Sequence, residues 1–172
     1  ARIVRVISGS PRISVRLRPA YAWGEGSPRL TSGSNHIRYI LGEQVQRLTS
    51  NAPLGWIRDE RMFRAERDLY FYFGPDEGFD AQLEARMEAM LDETVSTWQH
   101  WVRGLNLPLE WQEAVIRSAI TLKLCQYEQT GAIVAALTTS LPEHADSGRN
   151  WDYRFCWIRD AYFTVTALNR LS

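Results

Sequence analysis

The hydrophobic pattern changes period once along the chain, near Gly74-Pro75, and that change restricts the fold more than any other feature of the sequence. Before it, apolar residues alternate or come in short runs, as in Ile3-Val4-Arg5-Val6-Ile7 and Ile13-Ser14-Val15-Arg16-Leu17, with Gly, Pro and Ser clusters between them. Successive strand side chains point to opposite faces, so this region reads as an antiparallel sheet segment over residues 3–73. The run from Arg64 to Phe73 closes it. Beyond the change, Leu83, Met87, Met90, Leu91, Val95, Trp98 and Val102 recur at spacings of three and four, which predicts one long amphipathic helix over 79–105. Asp80 is placed to cap its start, and Gly104 with Pro108 to end it.

A second helix is expected over 110–127. It carries Trp111, Val115, Leu122 and Cys125 on one stripe and Ile116, Ile120 and Leu124 on another, so it needs contact on two sides. A third helical pattern spans 160–171, after an irregular stretch from Ala132 to Arg159. Loops of that length in compact domains are functional or disordered, and this one is rich in aromatics.

Twenty basic side chains balance twenty acidic ones, which leaves no net field to steer the chain toward nucleic acid or an anionic membrane. Apolar residues at 45% and charged residues at 23% match a chain that folds around a core. Cys125 and Cys156 have no CxxC spacing and sit in apolar or aromatic sequence, so both are expected as buried free thiols. His36, His100 and His144 show no metal-ligand spacing, and no GxGxxG, Walker or GxSxG motif is present, so no metal or cofactor is called for. No apolar run reaches the ~18 residues of a membrane span, and the N-terminus lacks the order of a secretion signal, which makes a cytoplasmic location the expectation. Ala1 opens in a strand-like run and Ser172 falls within a helical pattern, so both ends read as cut.

The segment Arg149-Asn150-Trp151-Asp152-Tyr153-Arg154-Phe155-Cys156-Trp157-Ile158-Arg159-Asp160 gathers two Trp, one Tyr, two Asp and three Arg at a helix entrance. Sugar recognition uses these types together. An indole face stacks on the apolar face of a pyranose, while guanidinium and carboxylate groups supply donors and acceptors for its hydroxyls. Arg159 and Asp160, adjacent in sequence, suit neighbouring hydroxyls of one ring. The plainer alternatives are a helix cap with a surface ion pair for Arg159 and Asp160, and core positions for Trp151, Trp157 and Tyr153. Glu143, Asp146 and Asp152 share the loop; they read either as an acid and base pair or, more simply, as solvated or turn-capping carboxylates.

Three stretches in order, Thr130-Gly131-Ala132-Ile133-Val134-Ala135-Ala136, Thr138-Thr139-Ser140-Leu141-Pro142-Glu143 and Arg149 through Ala161, resemble glycoside hydrolase family 15, which includes glucoamylases, glucodextranases and bacterial trehalases. The resemblance is strong over the last sixty or so residues and loose over the first hundred. Leu137 stands where many bacterial members carry Pro, and Phe155 where Tyr is common.

The resemblance implies an α+β chain: part of an N-terminal β-sandwich over 1–78, a helical linker over 79–108, and the incomplete start of an (α/α)6 barrel over 109–172. It further implies an inverting, exo-acting hydrolase of α-linked glucose, with an α-glucoside oligosaccharide or trehalose as partner. Arg159 and Asp160 would hold the nonreducing-end glucose and Trp157 and Tyr153 would line the same subsite, the tyrosine helping to stabilise the positively charged sugar. The two catalytic glutamates of the family would lie further along the barrel, outside this chain, leaving it inactive alone. A non-catalytic carbohydrate-binding or structural module is the rival reading. With so few barrel helices, the chain is also expected to expose apolar helix faces and to self-associate.

Overall fold

The computed structural model describes all residues except 22, 23, 25, 80, 81 and 138–141. The chain divides into two compact units, Ala1–Val95 and Ser96–Ser172.

In the first unit, strands β1 (Arg2–Val4), β3 (Arg29–Ser32), β4 (His36–Leu41), β5 (Gln44–Ser50) and β7 (Leu69–Pro75) form an antiparallel sheet in the order β1-β7-β5-β4-β3. A second ladder pairs β2 (Arg12–Ile13) with β6 (Phe63–Arg64). Strand β4 shows why these residues make a sheet: Ile37, Tyr39 and Leu41 are buried while Arg38 between them is exposed, the period that leaves one face dry. Its pairing with β5 ends at Leu41 opposite Gln44, joined by Gly42 and Glu43, and Gly42 takes φ +62°, a left-handed value that costs glycine little.

The core joins both ladders. Ile37, Tyr39, Leu48, Leu69 and Phe71 from the large sheet pack with Phe63 from the small one and with Ile57. Each such side chain contributes about 1.5–3 kcal/mol on burial.

Two parts of the β-like region differ from the pattern read in the sequence. Of the run 13–17 only Ile13 lies in a ladder, paired with Phe63, yet Val15 and Leu17 still pack half-buried against the core. Alternation reports which side chains face inward and is silent on whether the backbone finds a partner. Within 3–73 there is also a one-turn helix, α1 (Leu54–Arg58), too short to print a helical period. It ends through Glu60, held at φ +53° where glycine is the usual residue. The Glu60 carboxylate accepts from Arg18 and lies 3.8 Å from Arg16, so it fastens the non-laddered segment to the turn.

Helix α2 (Leu83–Arg103) crosses from one unit to the other. The proposed cap Asp80 lies outside the described residues. In the first unit Met87 is buried, and the next residue, Glu88, accepts from Arg5 and from the Tyr70 hydroxyl, both at 2.8 Å. In the second unit Trp98 and Trp101 of α2 meet edge to face at 5.7 Å.

The second unit also contains α3 (Gln112–Leu124) and α4 (Ile158–Asn169), which pack on each other. Leu171 C=O accepts from Asn106 N–H at 2.7 Å, which ties the end of α4 to the segment before α3. Among the described residues, no helix is long and apolar enough to cross a membrane. The cysteines part company: Cys125 is buried at the end of α3, whereas Cys156 is exposed, contrary to the expectation from its aromatic surroundings. Its neighbours Phe155 and Ile158 are exposed as well, so the apolar character of that stretch does not mark a core.

Candidate functional site

The described residues of 125–157, between α3 and α4, contain no helix or named strand, so their backbone groups must find partners elsewhere. They find them along the loop itself. Val134 N–H donates to Cys125 C=O at 3.0 Å, and Tyr127 N–H to Ala132 C=O at 2.7 Å, around Gly131 at φ +73°. The chain then runs beside the aromatic segment: Ala135 N–H donates to Phe155 C=O and Ala136 N–H to Tyr153 C=O, both at 3.1 Å. A second fold-back brings Glu143 to Arg149, again at 3.1 Å, with Pro142 bridged to Asn150. The middle stretch of the sequence resemblance, 138–141, lies outside the described residues.

Side chains fix what the backbone outlines. The Asp152 carboxylate accepts from Arg154 Nε at 3.0 Å and Nη2 at 2.7 Å and also from the Arg154 backbone N–H, which closes a tight local turn. That pairing raises the Arg154 guanidinium above its ordinary pKa, chiefly through the side-chain hydrogen bond. Trp157 spends its single donor on Asp152 C=O at 2.9 Å. Trp151 spends its own on Glu143 Oε1 at 2.9 Å. The two indoles meet edge to face, centroids 6.2 Å apart and planes at 84°.

Helix α4 starts immediately after Trp157, which places Arg159 and Asp160 in its first turn. The N-cap residue Trp157 makes no side-chain capping hydrogen bond, and Asp160 is the acidic residue of the first turn, where the helix dipole favours a carboxylate. Asp160 lies 3.4 Å from Arg159 Nη2.

These features converge. Ala135, Glu143, Trp151, Tyr153, Trp157, Arg159 and Asp160 line one hollow of about 440 Å³. All four residues singled out from sequence, Tyr153, Trp157, Arg159 and Asp160, share it. Small-molecule sites typically occupy roughly 300–1,000 Å³ and combine apolar walls with a few convergent polar groups. Two indoles, a phenol, a guanidinium and two carboxylates are such a set. Tyr153, Trp157 and Asp160 are half-buried, while the Arg159 side chain is 75% exposed and free to reach toward an entering molecule.

Sequence marks Trp151 as a loop aromatic of either site or core and Glu143 as half of an acid and base pair or a solvated carboxylate, and pairs neither with the other. Their bond spans eight positions, a distance no local pattern reports. As for that pair, Glu143 is engaged by Trp151 and Arg149 and Asp152 by Arg154, while Asp146 sits exposed in a turn at φ +62°. Loop stapling accounts for these contacts. Among the described residues no group of three or more His, Cys, Asp or Glu is placed to hold a metal ion.

Residues 111–172, which contain α3, the loop and α4, match the family described as Glycosyl hydrolases family 15. This segment belongs to family 15. Similarity to known proteins extends beyond it. Over 99% of its length the chain is 30% identical to a trehalase of Mycobacterium tuberculosis and 29% identical to one of Thermoplasma volcanium. Over 80 residues it is 45% identical to a trehalase of Mycolicibacterium smegmatis, which is 46% of this chain and 12% of that protein. The chain spans 28% of the Thermoplasma volcanium protein and 27% of the Mycobacterium tuberculosis one. No solved structure shows a significant match.

Proposed function

We propose that this chain is part of an inverting, exo-acting glycoside hydrolase that cleaves α-linked glucose, with trehalose as its substrate, and that the hollow holds the nonreducing-end glucose. The observation that carries the reading is the convergence of Tyr153, Trp157, Arg159 and Asp160 on one hollow within the family 15 segment. The relatives named trehalase favour trehalose over maltooligosaccharides, which remain the glucoamylase-like alternative. In this reading residues 1–78 are part of an N-terminal β-sandwich, 79–108 a helical linker, and 109–172 the start of an (α/α)6 barrel.

The chemistry divides between holding and breaking. Arg159 donates to sugar hydroxyls and Asp160 accepts from them, and each polar contact orients the ring for cleavage of the bond at its anomeric carbon. The face of Trp157 covers the apolar side of the ring. Tyr153 lies where positive charge develops on the ring oxygen and anomeric carbon as the leaving oxygen departs, and an aromatic face attracts such charge. Bond breaking itself takes two carboxyl groups roughly 6.5–9.5 Å apart, one protonating the leaving oxygen while the other draws a proton from the attacking water. Both belong to sequence beyond residues 1–172, so this chain supplies part of the glucose subsite and not the cleaving groups, and binds glucose weakly or not at all by itself.

The test is a substrate panel on the complete protein, with the anomers of newly released glucose followed by proton NMR. Trehalose should be hydrolysed faster than maltose, giving one α- and one β-glucose in equal initial amounts. No hydrolysis of any α-glucoside, or two α-glucose molecules from each trehalose, contradicts the proposal.

A further inference from the structure

We propose that Glu143 is a positioning residue of the sugar hollow, its carboxylate holding the Trp151 indole in place as a wall beside Trp157. The inference rests on the reading of the hollow as a sugar site and adds the group that shapes it.

The argument begins with donors. An indole has a single N–H, so once that donor is committed the ring can no longer turn about its side-chain bonds without losing the contact. Trp157 is committed to Asp152 C=O and Trp151 to Glu143 Oε1, each at 2.9 Å. Both rings therefore keep their polar edges tied to the loop, and the ring faces not taken by the edge-to-face contact between them are left for a ligand. Asp152 is itself gripped by Arg154, so the Trp157 anchor is braced through the backbone and a side-chain pair. The Trp151 anchor rests on the Glu143 side chain.

Glu143 is well placed for that task. Its backbone N–H donates to Arg149 C=O and the adjacent Pro142 bridges Asn150, which sets the two arms of the fold-back in register and brings position 143 beside 151. Arg149 Nη1 lies 3.9 Å from Oε2, a second and looser hold on the same carboxylate. Trp151 is 46% exposed and would otherwise be free to sample other rotamers in water. A charge-assisted bond is about twice as strong as a neutral one, which suits a partly solvated ring. With the carboxylate removed, Trp151 loses the acceptor of its indole N–H and the edge-to-face contact with Trp157 is no longer enforced.

A wall contact is made to the sugar both before and during cleavage. Interactions of that kind change KM and leave kcat nearly untouched.

Steady-state kinetics of the complete protein on trehalose test this with four variants. Glu143→Ala should raise KM roughly five- to tenfold with kcat within about twofold of wild type. Glu143→Gln should recover most of that loss, because the amide oxygen still accepts from the indole. Trp151→Phe keeps a ring and loses the N–H, so it should reproduce the KM rise, and the double change Glu143→Ala with Trp151→Phe should be no worse than either alone. Should Glu143→Ala fail to fold, the comparison of Trp151→Phe with wild type and with Glu143→Gln decides the matter. Arg159→Ala serves as the control for the site as a whole. An unchanged KM in Glu143→Ala or Trp151→Phe, beside a large loss in Arg159→Ala, overturns the role of Glu143 alone. Strictly additive effects, or Glu143→Gln as impaired as Glu143→Ala, also overturn it. No effect from Arg159→Ala would instead bring down the sugar-site reading.

Discussion

Trp157 and Cys156 are neighbours in sequence, yet one lines a hollow and the other faces solvent. The difference follows from where each side chain is tied: the Trp157 indole is anchored to Asp152 C=O, while residues 155 and 156 turn outward as the chain passes alongside 135 and 136. An accessible thiol reacts with an aromatic disulfide reagent at once, and a buried one reacts only as the fold opens. Cys156 should therefore label in the native chain and Cys125 only on unfolding, as stopped-time labelling with peptide mass mapping will show; equal rates would contradict the assignment. The four binding candidates were legible in sequence because their types and spacing are local, all within eight residues. Glu143 was not, because its significance depends on a fold-back that pairs it with Trp151. In the first unit, Phe63 shows the same contrast: it lies on a two-residue strand no pattern would select, yet it joins both ladders at 3% exposure. Phe63→Ala should cost about 3–5 kcal/mol in urea unfolding of the chain, and a loss below ~1 kcal/mol would argue against that packing.

At the scale of elements, the long helix α2 is held to the sheet through Glu88, whose carboxylate accepts from Arg5 of the N-terminal segment and from Tyr70 of β7. Those contacts hold the Glu88 carboxyl below its ordinary pKa, the Arg5 hydrogen bond most strongly and the Tyr70 bond next. The same bond pushes the Tyr70 phenol upward. Because the folded state binds the Glu88 proton less readily than the unfolded state, its stabilisation is fully present above the ordinary glutamate pKa of about 4.3. It is lost as pH falls through the lower, folded value. Glu60, depressed mainly by its hydrogen bond to Arg18, acts in the same direction. The thermal midpoint of wild type should exceed that of Glu88→Gln at neutral pH, and the gap should close as the solution is acidified below the glutamate range. A gap that stayed constant or widened in acid would refute the coupling. Sequence periodicity located α2, α3 and α4 because apolar residues recur along each at helical spacing, whether or not the chain covers them: Met87, Ala119 and Thr164 are the buried positions among their described residues. It could not locate α1, whose five residues carry less than two turns, nor the ion pairs, which join positions far apart in the chain.

At the scale of the whole molecule, α4 leaves an apolar stripe uncovered. Ile158, Tyr162 and Val165, at spacings of four and three, are 89%, 63% and 46% exposed, with Phe163 beside them at 62%. A stripe of that kind seeks cover. The isolated chain should accordingly associate in sedimentation velocity as its concentration rises, and replacement of Ile158 and Tyr162 by Ser should suppress the effect; a monomer at all concentrations would contradict this expectation. The sequence disclosed the stripe, but a pattern that says a face is apolar does not say what meets it. The account as a whole depends on Arg159 and Asp160 gripping a terminal glucose. The most direct test is kcat/KM on trehalose for the complete protein carrying Arg159→Ala or Asp160→Ala, with thermal midpoints to confirm folding. Loss of one charged hydrogen bond, about 1.5–3 kcal/mol, predicts a fall of roughly ten- to a hundredfold for each. Folded variants that retain kcat/KM within about threefold of wild type would contradict it.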